Sequence, residues 1–276
     1  ANLNDLNYAL HQDQNDPLNH FRERFHLPQT DSGEPFIYFC GNSLGLQPNT
    51  VSQFINEELD AWKQHGVEGH FHAKRPWMKY HEFLTQYSAE IVGALEKEVV
   101  VMNSLSVNLN LLMTSFYQPS EKKKKILIEH NAFPSDRYAV QSQLKFHGNH
   151  PIDDLIILTP DDGANITTNG ILNYFDEHGD EIAMVLIGGV NYYTGQAFNM
   201  KSITNKAHEH NCLVGFDLAH GTGNTRLKLH DWGLDFAAWC GYKYINGGPG
   251  APSGVFVHER HLGRTDIPRF EGWWGH

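Results

Sequence analysis

Apolar runs rich in β-branched residues recur along the chain from residue 99 onward: "VVVMN", "KILIEH", "DLIILTP", "EIAMVLIGGV", "CLVGFDLA", "FAAWCGYK" and "GVFVHE". Runs of this length with little polar alternation predict strands buried on both faces. Most are separated by stretches with helical periodicity, such as "SVNLNLLMTSFY", "SDRYAVQSQLKFHG" and "MKSITNKAHEHN". That alternation predicts an α/β fold, a mainly parallel sheet with helices on both faces. The N-terminal quarter reads as helices instead. "DPLNHFRERF" offers Asp16 as a cap with Pro17 at the first helical position, and "TVSQFINEELDAWKQHG" closes on Gly66. There are no internal repeats and no low-complexity segments.

Composition narrows the classes of function. The chain has 276 residues, 40% hydrophobic and 19% charged, enough for one large or two modest globular domains. A net charge of -11 argues against a nucleic-acid partner, whose phosphates would be repelled. No run of about 18 apolar residues exists to span a membrane. The opening "ANLNDLNYALHQDQND" lacks the basic start and apolar stretch of a secretory signal. Cys40, Cys212 and Cys240 sit singly inside apolar stretches, which predicts reduced core cysteines of a cytoplasmic protein. "EKKKK" at 121–125 reads as a solvated approach to a strand. The 18 histidines include the pairs His70/His72 and His208/His210, but neither pair has a carboxylate or cysteine at ligand spacing. Surface and core roles are expected for most of them, and no metal site.

In a parallel sheet, ligands sit at the carboxyl ends of the strands, so the residues after each apolar run carry the chemistry. After "VVVMN" comes "SLSVNLNLL", a helix opening whose free N–H groups suit a phosphate, with Ser104 or Ser106 adding a hydroxyl, or which is an ordinary cap. After "KILIEH", "NAFPSD" places Phe133 and Asp136 on one turn. After "CLVGF", "DLAHGTGN" spaces Asp217 and His220 three apart, and an acid ending a buried strand is costly unless something cationic meets it. "FAAWCGYK" delivers Lys243 with the glycine-rich "INGGPG" behind it. Together these supply a phosphate cradle, a flat apolar clamp, a carboxylate for a ring N–H⁺, a donor for a ring oxygen and a lysine. Pyridoxal phosphate demands that inventory.

"FCGNSLGLQP", "GVEGHFHAKRPW", "AFPSDRYAVQSQL", "YYTGQ", "VGFDLAHGTGN", "HDWGLDFAAWCGYKYINGGPG" and "GWWGH" together resemble the kynureninase family of fold-type I pyridoxal-phosphate enzymes. The likeness runs from about residue 36 to the end, in the family's order. It implies an N-terminal helical segment over 1–35 and a cofactor-binding large domain over 36–276. The implied activity is hydrolysis of L-kynurenine, or its 3-hydroxy form, to anthranilate or 3-hydroxyanthranilate and L-alanine. That reaction belongs to tryptophan catabolism and NAD biosynthesis, and the family implies a cytoplasmic homodimer with shared active sites.

By position, the resemblance makes Lys243 the Schiff-base lysine, places Asp217 at the pyridine nitrogen, and sets His220 near the phenolic oxygen. Leu105, Ser106 and Tyr242 would hold the phosphate end, with Tyr242 also a candidate for proton transfer at the substrate carbonyl. Phe133 and Asp136 would line the ring, and Trp273 would reach the cofactor from a neighbouring subunit. Ser43, His70 and His276 match positions lining the substrate pocket.

Two departures stand out. Gly188 occupies a position where the family has a serine near the cofactor. The chain stops at "GWWGH", where the family continues into a smaller C-terminal domain carrying an asparagine for the phosphate and an arginine for the substrate carboxylate. Residues 1–276 are therefore expected to be the large domain of a longer enzyme and not to turn over kynurenine alone. The rival readings are a cysteine desulfurase or selenocysteine lyase, which needs a nucleophilic cysteine on a mobile loop, and a non-catalytic cofactor-binding scaffold.

Overall fold

The seven apolar runs become the seven strands of one sheet. The computed structural model describes residues 3–160, 162, 163 and 165–272. Near the N-terminus two short strands, β1 (Phe25–His26) and β2 (Gln47–Pro48), pair antiparallel. The main sheet comprises β3 (Val99–Met102), β4 (Lys125–Glu129), β5 (Leu155–Leu158), β6 (Ile182–Gly188), β7 (Leu213–Asp217), β8 (Phe236–Trp239) and β9 (Ser253–Val257). Their spatial order is β3-β9-β8-β7-β6-β4-β5. Strand β9 pairs antiparallel with β3 and β8, and the remaining pairs are parallel.

Helices α1 (Leu6–Asn15), α2 (Val51–His65), α3 (Gly69–His72), α4 (Tyr80–Phe83) and α5 (Thr85–Val92) precede the sheet. Between its strands run α6 (Leu105–Phe116), α7 (Pro134–Phe146), α8 (Thr168–His178), α9 (Met200–Glu209) and the short α10 (Leu229–Trp232). Alternation along each strand sorts the core into two layers. Leu127, Val185, Ile187, Val214, Phe216, Ala237 and Phe256 face α5, α8 and α9. Ile126, Ile128, Met184, Leu186, Phe236, Ala238 and Val255 face α6 and α7. Both faces are covered, so the strands read as unbroken apolar runs.

Several expectations change in detail. Asp16 does cap locally, its Oδ1 accepting from Leu18 N at 2.8 Å. The turn that follows is a 3-10 helix over Asn19–Arg24 that buries none of its residues. Without an apolar face to dock, it tightens, and Asn49 pins its end by donating from Nδ2 to Glu23 O at 2.7 Å and from N to Arg24 O at 2.9 Å. Cys212 and Cys240 are buried, but Cys40 is exposed, against the expectation of a core cysteine. Its segment carries Ile37 and Phe39 at 84% and 89% exposure, so the apolar run "FIYFC" forms no strand and finds no core in this chain. The lysine run is more than solvated: Lys124 pairs with Asp154 at 3.2 Å, Lys125 pairs with Glu181, and Lys123 donates to the carbonyl of His210.

Two carboxylate–histidine knots tie elements that lie far apart in sequence. Asp235 accepts from Val214 N at 2.7 Å and bonds His208 Nε2 and His261 Nε2, each at 2.8 Å. Glu98 bonds His230 Nδ1 at 2.9 Å and accepts from the backbone N–H groups of Glu259 and Leu95. His258 stacks on His230, which brings Glu98, His230 and His258 within metal-ligand spacing of one another. Both Glu98 oxygens already accept hydrogen bonds, so the cluster is complete as a polar knot. The histidine pairs apparent in the sequence are not the ones that tertiary structure assembles.

Candidate active site

The loop after β8 carries the lysine. Lys243 Nζ lies 2.9 Å from His220 Nε2 and 5.8 Å from the centroid of the Phe133 ring. Burial, then the neighbouring ammonium, pushes the His220 imidazole below its ordinary pKa. A neutral imidazole accepts at Nε2, so Lys243 donates to it.

The lysine loop is itself clamped. Gly45 N donates to Tyr242 O at 2.8 Å, and any side chain at position 45 would overlap Lys243 O and Asn246. A glycine is therefore required where the 40–45 turn meets the 242–246 turn. Ser43 lies on the same turn, its N–H donating to Cys40 O at 2.8 Å.

The ends of β4, β6 and β7 form the wall opposite. Asp217 is 5% exposed and accepts from Ala219 N at 2.7 Å. Asp136, in the first turn of α7 and 7% exposed, hydrogen-bonds Asp217 through its side chain. Two carboxyl groups can bond this way only if one carries a proton. Burial first, and then Asp217, push the Asp136 carboxyl well above its ordinary range.

A third acid, Glu129, joins them. It ends β4 at 3% exposure, and its Oε1 accepts from Gly188 N at 3.1 Å. Burial pushes its carboxyl up to about 7. These three acids, with Phe133, Gly188, Val190, Tyr192 and His220, line one small, partly open pocket. Phe133 meets Tyr192 edge to face at 5.2 Å.

Above this space two helix N-termini converge. Ser106 Oγ, in the first turn of α6, lies 3.2 Å from Ser135 Oγ in the first turn of α7. Leu105 opens α6 beside Ser106. Orphan N–H groups and two hydroxyls in one place suit an anion.

Burial, then the neighbouring Cys240 thiol, push the Tyr242 hydroxyl above its ordinary value. His70 lies apart: Nδ1 contacts Val67 O at 2.7 Å and its ring packs on Trp77 at 5.3 Å. That helical corner is tied by Glu58, which bonds Arg75 at 2.8 Å, Trp77 at 3.0 Å and Tyr80 at 2.5 Å. Trp273 and His276 lie outside the described residues.

The structure thus brings together Lys243, His220, Asp217, Asp136 and Phe133, and sets Ser106 and Leu105 at the nearby helix opening. Glu129, Ser135 and Tyr192 are members that the sequence reading missed. For Glu129 the signal was present, because it ends a buried run as Asp217 does.

Residues 37–265 match the family described as aminotransferase class-V. The chain is 54% identical over 270 residues to a kynureninase of Myxococcus xanthus, covering 98% of this chain and 63% of that protein. It is 46% identical over 284 residues to the Homo sapiens kynureninase, covering 99% and 61%. The chain therefore spans about three fifths of the length of these relatives. Among solved structures, a C-DES mutant with glycine covalently linked to its PLP-cofactor superposes at a TM-score of 0.72 and 18% identity, over 86% of this chain and 60% of that one. The cysteine desulfurase CsdA of Escherichia coli superposes at 0.67 and 16% identity, over 88% and 58%. These two likenesses show the fold alone. With a family match over most of its length on the expected α/β sheet, the chain belongs to the class-V aminotransferase family.

Proposed function

We propose that this chain is the cofactor-binding part of a kynureninase, residues 36–276 forming its large domain. It would hydrolyse L-kynurenine, or the 3-hydroxy form, to anthranilate or 3-hydroxyanthranilate and L-alanine. The observation that carries the reading is the Lys243–His220 contact facing the buried Asp136–Asp217 pair, in a chain about half identical to proteins named kynureninase.

The residues present fit pyridoxal phosphate. Three buried carboxyl groups around one small space favour a cation, which a protonated ring nitrogen supplies. The Ser106–Ser135 corner suits its phosphate, and Phe133 offers an apolar face. When bound, the cofactor supplies an electron sink for the charge left as the Cα proton departs.

The chain's own groups do the rest. Asp217 holds the proton on the ring nitrogen. Ser106 and the opening of α6 anchor the phosphate. His220, neutral, keeps the Lys243 amine oriented between transfers, and Lys243 removes the Cα proton. Tyr242, whose hydroxyl stays protonated at neutral pH, can donate at the γ-carbonyl oxygen as water adds and the Cβ–Cγ bond breaks. General acid help of this kind contributes roughly 10²–10⁴-fold.

The exposed apolar face of α2, with Phe54, Ile55, Leu59 and Trp62, supports a homodimer in which such surface is covered. Trp273 and His276 would then serve an active site shared between subunits. Among the described residues no helix is long and apolar enough to cross a membrane, in keeping with a cytoplasmic enzyme.

The desulfurase reading would have to rest on the exposed Cys40. Burial pushes the Cys212 thiol up to about 11 and the Cys240 thiol above its ordinary value, so neither is a ready nucleophile.

The test is to add pyridoxal phosphate to the protein and record its visible spectrum, then to follow kynurenine hydrolysis in the full-length enzyme by anthranilate fluorescence. A band lost in Lys243→Ala, together with anthranilate release, is expected. Sulfur release from cysteine without anthranilate would overturn the reading.

A further inference from the structure

Resting on the cofactor reading above, we propose that Glu129 is a positioning residue for the ring. Its carboxyl, seated in the space that Gly188 leaves open, serves with Asp217 as a second acid against which a cationic ring nitrogen is held.

The geometry is specific. Gly188 and Asp217 are register partners on β6 and β7, and Glu129 reaches across from β4 to accept from Gly188 N. A Cβ at position 188 would come within 2.9 Å of Glu129 Oε1. The space that a side chain at 188 would enter is thus taken by the Glu129 carboxyl. A serine there would compete for the Gly188 surface that Glu129 covers.

The charged groups near Glu129 are Asp217 on β7 and Asp136 on α7, with Lys243 and His220 across the same opening and His130 and Arg137 lining the adjoining pocket. Burial first, with a smaller contribution from Asp217, holds Glu129 neutral below about pH 7, and a ring cation would favour its ionised form. Cofactor capture and Glu129 ionisation are therefore linked.

The experiment measures the equilibrium affinity of the cofactor-free protein for pyridoxal phosphate from pH 5.5 to 8.5, for wild type, Glu129→Gln and Glu129→Asp. The ratio of wild-type to Glu129→Gln affinity cancels the cofactor's own titration. It should rise with pH and level off above about 7, by about tenfold for each pH unit by which the ring lowers the Glu129 titration. Glu129→Asp should retain a rising ratio against Gln, because it keeps an ionisable group.

A ratio that stays flat across this range, in proteins folded by circular dichroism, would overturn the proposal and leave the cofactor reading intact. An equal loss at every pH would also overturn it, because that marks a packing role. If wild type binds no pyridoxal phosphate, the cofactor reading fails and this inference falls with it.

Discussion

Glu129→Gln should stabilise the cofactor-free protein at pH 8. The wild-type carboxyl is almost wholly buried, and burial raises it from an ordinary 4.5 to about 7. The folded state therefore binds a proton that the unfolded chain has released between these values. For a raised group, the favourable contribution is complete below about 4.5 and lost as pH rises through 7. The difference corresponds to roughly 3 kcal/mol. Glutamine keeps the shape, and its amide oxygen can still accept from Gly188 N, so the main change is removal of the ionisation cost.

Urea denaturation of both proteins between pH 4.5 and 8.5 reads this directly. The curves should nearly coincide at the acid end and separate by about 3 kcal/mol above pH 7. In thermal melts the gap is on the order of 5–10 °C. A variant less stable than wild type at pH 8 would refute the reasoning. It would mean that the carboxylate is solvated or paired in a way the geometry does not contain. A group that costs folded stability at neutral pH has its use in the site and not in packing.

Asp217→Asn should reduce turnover far more than folded stability, because a neutral amide cannot keep the ring nitrogen protonated; wild-type-like rates in steady-state assays would remove Asp217 from that role. Asp235 is held down to about 2 by its histidine partners and the Val214 N–H against the opposing effect of burial, so its contribution is present above about 4 and lost as pH falls toward 2. Asp235→Asn should cost roughly 2–4 kcal/mol at pH 7, with the gap to wild type closing in acid denaturation between pH 4 and 2.

Much of this protein was legible in order along the chain. All seven strands were visible because a strand buried on both faces must be apolar throughout, and burial leaves that mark in composition. Lys243, Asp217, His220, Phe133 and Asp136 were visible because parallel sheets expose chemistry at strand ends, which are positions in sequence.

The same rule applied to "KILIE" would have found Glu129. Cys40 was misplaced because an apolar run says that a segment seeks cover, not whether this chain supplies it.

Tertiary structure alone decided the rest. The strand order, with β9 inserted antiparallel between β3 and β8, depends on which edges pair and not on any run's own pattern. The knots at Asp235 and Glu98 join residues up to 161 positions apart, so no spacing along the chain could announce them. Gly188 shows the difference most plainly. In sequence it is a missing hydroxyl; in space it is the opening that Glu129 fills, because only folding sets the end of β4 over the end of β6.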